Sequence, residues 1–235
     1  MDRRTFVFAS SGAAVGSLVV PGFAETDAIG HRSADPSGLT TGLPKPLRHL
    51  EVPGFLSAAQ IAPHHTAHYG GALKAFVSVE QALERSFAGG PAVDPLGYER
   101  MKALQSSRGN SVILHELYFD GLGLKETSPG TGLRDAIAKR FGSVDRWAVD
   151  FVASAKAAAG WAMLVRHPVN GRLYNVVSDE HAQGALWLAV PLVVIDTYEH
   201  AFYIDYQNRK AEYVEKFLSF VDWAEAERRW AALPP

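Results

Sequence analysis

The chain has 235 residues, of which 47% are hydrophobic and 20% charged, and its formal net charge is −2. That is apolar material for a sizeable core in one or two domains, and no basic, aromatic-interleaved run points to a nucleic-acid partner. Cysteine is absent while histidine occurs 9 times, which excludes disulfides, thiolate metal sites and a cysteine nucleophile and leaves His, Asp and Glu to hold any metal.

The N-terminus reads Asp2-Arg3-Arg4-Thr5-Phe6-Val7, a twin-arginine pattern. An apolar run from Phe6 to Val20 follows, then Gly22-Phe23-Ala24 as a cleavage site. The run is too short and too rich in Ser, Gly and Ala for a membrane span. Residues 1–24 are therefore expected to be a signal peptide for the twin-arginine route. The mature protein is expected to be periplasmic or secreted, with no stable span. Residues 25–43, rich in Thr, Ser, Gly, Pro and Asp, predict a flexible linker.

Ordered structure is expected from about Pro44. A first helix is predicted from Ser57 to Phe87, with Ser57-Ala58-Ala59-Gln60 as a capping box. Pro63 should kink or restart it. His64 and His68 are four apart and share a face, which continues to Ala72, while His65 points elsewhere. Gly70 and Gly71 weaken the helix and would allow close packing. After a Gly/Pro-rich turn at 89–96, a second helix runs from Leu96 to Gly121. It carries His115 in an apolar-aromatic stretch, a costly place for a polar ring without a partner. The short connection predicts an antiparallel helical hairpin, residues 44–126.

The polar break from Lys125 to Gly132 separates this hairpin from residues 127–235. There the pattern gives helices from Leu133 to Phe141 and from Ser143 to about Ala159. Strands follow at Gly160–Val165 and Leu173–Val177, about an Asn170-Gly171 turn, and at Leu188–Ile195. His181 lies just past the second strand. Terminal helices are expected at Tyr213–Val221 and Ala224–Trp230. The fold class is α+β, an N-terminal helical hairpin followed by a domain with a small antiparallel three-stranded sheet and helices.

The third strand delivers Asp196 and, four residues later, His200. If the chain turns helical there, the two share one face, and a carboxylate and an imidazole at that spacing can hold one metal ion between them. The competing reading is a helix N-terminus with Asp196 near the cap. His64 and His115, on the two predicted helices, bring the candidate ligands to four.

These residues sit in motifs that resemble the iron/manganese superoxide dismutase family. The motifs are His64-His65-Thr66-Ala67-His68-Tyr69, His115-Glu116-Leu117-Tyr118-Phe119, Phe141 to Trp147, Gly160-Trp161-Ala162, and Asp196 to Arg209 with Glu199-His200-Ala201 at its centre. The likeness spans roughly Pro44 to Trp230, in the family's order. It implies conversion of superoxide to oxygen and hydrogen peroxide at one iron or manganese ion per subunit, held by His64, His115, Asp196 and His200 with a solvent molecule as fifth ligand. It implies that His181 bonds this solvent, since the alternative position, Ser111, offers no glutamine. It places Trp161 as a wall of the pocket. Glu199 and Tyr203 would cross a homodimer interface, the former to a ligand histidine of the partner subunit, the latter to the histidine that His68 matches. The sequence departs from the family at Ala72, where a gating tyrosine is usual, and at Phe119, Met163 and Tyr198, where tryptophans are common. Those departures admit a second reading, a dismutase-like metal-binding protein with another redox or protective role.

Overall fold

A computed structural model describes residues 35–89, 94–184 and 186–233. The expected signal peptide and the first part of the expected linker lie outside them. Two long helices carry the N-terminal half, α3 (Gly70–Phe87) and α4 (Pro95–Asp120). Asp94 starts α4 by accepting from the N–H groups of Leu96 and Gly97, with Pro95 in the first turn, where its missing N–H is harmless. The two helices run antiparallel: Glu80 meets Gln105, Phe76 packs on Gly109, and Tyr69 meets Glu116. Gly71 has nothing within 4 Å of where a Cβ would lie, so the close packing expected of it is not made.

Helix α2 (Ala58–Pro63) leads into α3 through a π-helical turn, His64–Tyr69. Pro63 therefore does not break the rod. Its ring crowds the carbonyl four residues back and it lacks the N–H to bond it, and the wider turn that follows absorbs this mismatch. Part of the expected linker is also ordered. Short helix α1 (Gly38–Thr41) is capped by Ser37, and Gly38 is buried, with its N–H donating to Glu116 Oε1 at 2.8 Å. A Cβ on Gly38 would stand 2.8 Å from the Tyr69 hydroxyl, so a glycine lets the segment dock there.

Helices α5 (Thr131–Phe141) and α6 (Val144–Ala157) precede the sheet of β1 (Trp161–Arg166), β2 (Leu173–Ser178) and β3 (Val190–Asp196). The strand order is β2-β1-β3, antiparallel throughout. Every residue of β1 is buried, as its central place requires. Trp161 pairs with Ser178 on one side and Asp196 on the other. The third strand starts two residues later than expected and takes in Asp196, because Leu188 adopts a left-handed φ of 67° that no ladder accommodates.

The last helices are α7 (Tyr203–Tyr206), α8 (Lys210–Phe217) and α9 (Trp223–Ala231). From α9 the buried Arg229 donates to the carbonyls of Leu192 on β3 and Leu117 on α4. One core runs through both halves: Ile61, Leu73 and Val112 from the helices, Leu164, Val194 and Ile195 from the sheet, Tyr213 and Phe217 from α8. Each aliphatic side chain so buried contributes about 1.5–3 kcal/mol. From Asp35 onward the chain forms one compact unit. Among the described residues no helix is long and apolar enough to cross a membrane.

Candidate metal centre

Four elements converge on one carboxylate. His64 opens the π-helical turn, His115 lies on α4, Asp196 ends β3, and His200 sits in a 3-10 turn, Glu199–Ala201. One donor atom from each lies within 4.8 Å of all the others. Asp196 Oδ2 stands 3.1 Å from Nε2 of His64, 3.2 Å from Nε2 of His200 and 3.7 Å from Nε2 of His115. Asp196, His64 and His115 are buried, whereas the His200 side chain keeps 20% of its exposure.

The hydrogen bonds around the cluster show what it is built for. Nδ1 of His115 donates to the Ser111 carbonyl at 2.7 Å, so the neutral ring leaves Nε2 bare. That Nε2 is buried with no hydrogen-bond partner. Its lone pair faces a carboxylate oxygen across a short gap, which is unfavourable until a cation lies among them. Burial lowers the pKa of His64, and that of His115 to about 3, although Asp196 pulls both upward. Burial alone would raise the Asp196 carboxyl. Its hydrogen bonds with His200 and His64 outweigh this and hold it well below the usual carboxylate range. Neutral imidazoles with one ionised carboxylate are the protonation states that metal ligation needs, and an all-nitrogen-and-oxygen set fits iron or manganese.

Asp196 and His200 are not on one helix face. The strand continues through Asp196, Tyr198 N–H donates to Asp196 Oδ1 at 2.9 Å, and only then does a single 3-10 turn present His200. Thr197 fixes the corner by donating from both N–H and Oγ1 to the Gly160 carbonyl. The turn is held by Gln60, which donates from Nε2 to the His200 carbonyl at 2.7 Å and accepts from Ile204 N–H at 2.9 Å. The expected capping box is therefore half made. Ser57 Oγ accepts from Gln60 N–H, but the Gln60 side chain turns to this loop, and Ser57 N–H donates to Asp205 instead. Sequence reasoning missed that role, although Gln60, His64 and His68 lie at four-residue spacing. It also missed Tyr213, whose hydroxyl donates to the Asp196 carbonyl at 2.8 Å.

His181 lies in a turn closed by paired backbone bonds between Asp179 and Gln183. Glu180 and His181 have φ values of 50° and 62°, two successive non-glycine residues in the left-handed region. Such positions cost on the order of 1–3 kcal/mol each and persist where the surroundings enforce them. Here the surroundings include Trp161, whose indole N–H donates to His181 Nδ1 at 2.9 Å. Trp161 is fully buried and stands edge-on to His115, with ring centroids 5.1 Å apart. Burial lowers the His181 pKa, opposed by Asp196 and assisted by Arg108 and His200.

His68 is exposed and stacks on His200, with centroids 3.9 Å apart and 14° between planes. Glu199 is exposed and Tyr203 is 49% exposed, so neither is used in closing the cluster within this chain. Phe119 packs on His64 at 4.8 Å, Tyr198 stacks on His200 at 5.3 Å, and Met163 is buried on β1. Ala72 is buried and presents only a methyl group.

Residues 129–229 match the sequence pattern of iron/manganese superoxide dismutases, C-terminal domain. An iron superoxide dismutase of Cupriavidus metallidurans is 37% identical over 181 residues, covering 75% of this chain and 89% of that protein. A manganese superoxide dismutase of Haloferax volcanii is 32% identical over 188 residues, covering 80% and 93%. An iron superoxide dismutase of Aquifex aeolicus is 32% identical over 192 residues, covering 79% and 90%.

Proposed function

We propose that this chain, which belongs to the iron/manganese superoxide dismutase family, is itself a superoxide dismutase that uses iron or manganese. The observation that carries the reading is the Asp196 carboxylate met by three imidazole nitrogens, one of them buried and without any other partner. His64, His115, Asp196 and His200 would hold the ion. When bound, it supplies a one-electron couple by which one superoxide is oxidised to oxygen and a second, taking up two protons, is reduced to hydrogen peroxide.

The chain's own residues set the conditions. Three neutral imidazoles and a single carboxylate leave a divalent or trivalent ion incompletely neutralised, so the centre attracts a small anion. Trp161 and Phe119 close its inner side against water. The indole bond to Nδ1 of His181 leaves that ring, when neutral, with its proton on Nε2, a donor for solvent or anion in the pocket. His68, stacked on His200, orients that ring from the open side. Glu199 and Tyr203, exposed beside it, are the residues by which two copies would pair as a homodimer. The twin-arginine pattern supports export of the folded protein to the periplasm or beyond.

One observation favours a second reading: Ala72 offers only a methyl where the family has a gating hydroxyl. The chain would then hold a metal for other redox or protective work. Elemental analysis of the natively exported protein, combined with superoxide consumption, tests the first reading. The expected result is one iron or manganese per chain with consumption above that of free metal, both lost in His200→Ala. Folded, metal-loaded protein without consumption would overturn it. Under the second reading Ala72→Tyr leaves turnover unchanged, and a large rise refutes it.

A further inference from the structure

The end of the sheet farthest from Asp196 is both apolar and basic. Both outer strands begin there, Leu173 of β2 and Val190 of β3 each pairing with Arg166 of β1. Beyond Arg166 the turn into β2 carries Val169, 76% exposed. Ahead of Val190 the chain makes a tight turn, with Ala189 N–H donating to the Leu186 carbonyl at 3.0 Å. That turn keeps Leu186, Trp187 and Leu188 beside the start of β3, where they are 40%, 88% and 68% exposed. Trp147, Trp161 and Trp223, by contrast, are buried. Leu188 also holds its left-handed φ of 67°, unfavourable for a leucine, with little packing to offset it. Single exposed apolar side chains are ordinary, but a group of them at one edge marks an interaction surface.

The charge around this edge is positive. Arg140, at the end of α5, donates from Nε to the Leu173 carbonyl at 3.0 Å and lies over the Tyr174 ring. Arg172 is exposed just before β2, and Arg166 is buried over the Trp230 ring. None of these arginines joins an ion pair among the described residues. Residues 166–176 and 186–195 contain no Asp or Glu. On the neighbouring helices, Glu225 is paired with Arg228 and Arg229, and Glu227 lies against Gly130 at the opposite end of α5. Asp135 lies on another side of α5 from Arg140.

We propose that this edge docks on an anionic lipid surface, with Trp187 and Leu188 entering the interfacial layer and Arg140 and Arg172 meeting the phosphate headgroups. Apolar side chains carried outward on turns, instead of lining a groove, suit a deformable layer. Tryptophan favours the lipid–water boundary, where its ring is buried and its N–H stays wet. Arginine matches phosphate with paired N–H donors. No helix among the described residues is long and apolar enough to cross a membrane, so the attachment is peripheral and needs apolar burial and charge together. It also has a direction. Strand β1 has six residues, and Trp161 at its other end pairs with Asp196. The strand is about 17–20 Å long, which keeps the candidate metal centre clear of the lipid.

Docking here is independent of the dismutase reading and is tested without it. The full-length protein is sedimented with vesicles of phosphatidylglycerol or of phosphatidylcholine. The unchanged protein should bind the former, less tightly as salt is added, and the latter weakly. The double variant Trp187→Ser with Leu188→Ser should bind phosphatidylglycerol about tenfold less tightly, and Arg172→Gln about fivefold less tightly. These proteins share every other segment, so the differences report this edge alone. Because the altered side chains are exposed, thermal midpoints should not move. On binding, tryptophan emission should shift to the blue and be quenched by brominated lipid, and Trp187→Phe should remove both effects. A double variant that binds as tightly as the unchanged protein overturns the proposal, as does equal binding to the two kinds of vesicle. If the unchanged protein ignores both, while the double variant breaks up a larger assembly in sedimentation, the edge pairs copies of this chain and the lipid surface is refuted.

Discussion

The indole N–H of Trp161 and Nδ1 of His181 stand 2.9 Å apart, and this one bond decides where the imidazole keeps its proton. An indole nitrogen only donates, so Nδ1 must accept and the neutral ring carries hydrogen on Nε2. Trp161→Phe keeps an aromatic wall beside His115 but removes the donor. It should leave metal content near that of the unchanged protein and lower turnover by about 10–100-fold, the usual consequence of losing a partner one bond removed from a metal site. The ring nitrogen chemical shifts of His181 should change from a single tautomer to a mixture. Unaltered turnover together with an unaltered tautomer would show that the bond does no such work.

The pH dependence of the metal-free protein follows from its buried histidines. In the unfolded chain His115 protonates near its ordinary 6.5, whereas in the folded protein burial holds it to about 3. Between these values the unfolded state binds the extra proton, so stability falls as the pH drops through that window and is flat above it. His64 and His181 are lowered in the same direction, burial being the main cause in each. Asp196 acts at the acid end, since its stabilisation is present above the ordinary 3.8 and is lost as the pH falls below it. The total loss from neutral pH to about pH 4 is on the order of a few kcal/mol, read as a falling urea midpoint. The loaded protein should resist longer and then release its metal as protons displace it from the imidazoles. A midpoint that stays level from neutral pH to about pH 4 refutes this account.

How much of this was written in the sequence differs from residue to residue. The antiparallel hairpin, the three strands and the helix bearing His115 follow from periodicity, because apolar side chains on one face must be buried. The four ligand-type residues were legible as residue types, but their meeting point was not, since it depends on how β3 ends. Asp196 and His200 have the spacing of a helical pair, yet a strand and a 3-10 turn bring them together, because Tyr198 N–H bonds to Asp196 Oδ1 and Gln60 pins the turn from another helix. A long-range bond such as that of Gln60 leaves no local signature: the same Ser57-x-x-Gln60 spacing reads as a cap. The segment at 37–43 looked like linker for a similar reason. Its composition is that of a loop, and its order comes from Glu116 far along the chain.

Glu116 gives the next prediction. Its Oε1 accepts from Gly38 N–H at 2.8 Å and from the Tyr69 hydroxyl at 2.9 Å, and Tyr69 in turn accepts from Lys45 N–H at 2.8 Å. One buried carboxylate thus pins residues 38–45 to the helices. Glu116→Leu fills similar space but leaves two donors without an acceptor, at a cost of about 1–3 kcal/mol each when they stay buried. The segment should release rather than bear that cost in full. The expected result is rapid proteolytic cleavage within residues 35–45 and a lower thermal midpoint, with metal content unchanged because His115 is oriented by Ser111. Cleavage there no faster than in the unchanged protein would show that other contacts dock the segment.

His200 also points to the last prediction. Its side chain is the most exposed of the four, and around it stand exposed His68 and Glu199, with Tyr203 and Ile204 exposed by 49% and 55%. An aromatic and an aliphatic side chain open to solvent beside a carboxylate form a surface suited to a self-complementary, two-fold contact. In the proposed homodimer Glu199 reaches a ligand histidine of the partner subunit, so closing the interface would also shield each metal from solvent. Removing one member of such a buried charged pair costs about 2–5 kcal/mol of association. Sedimentation equilibrium should therefore find a dimer for the unchanged protein and a shift toward monomer for Glu199→Ala and for Tyr203→Ala, with metal lost more readily to a chelator as dimers dissociate. Because both side chains are exposed in the single chain, neither substitution should lower the thermal midpoint of the monomer. A monomeric unchanged protein at micromolar concentration, still metal-loaded, would mean that the exposed face serves something other than pairing.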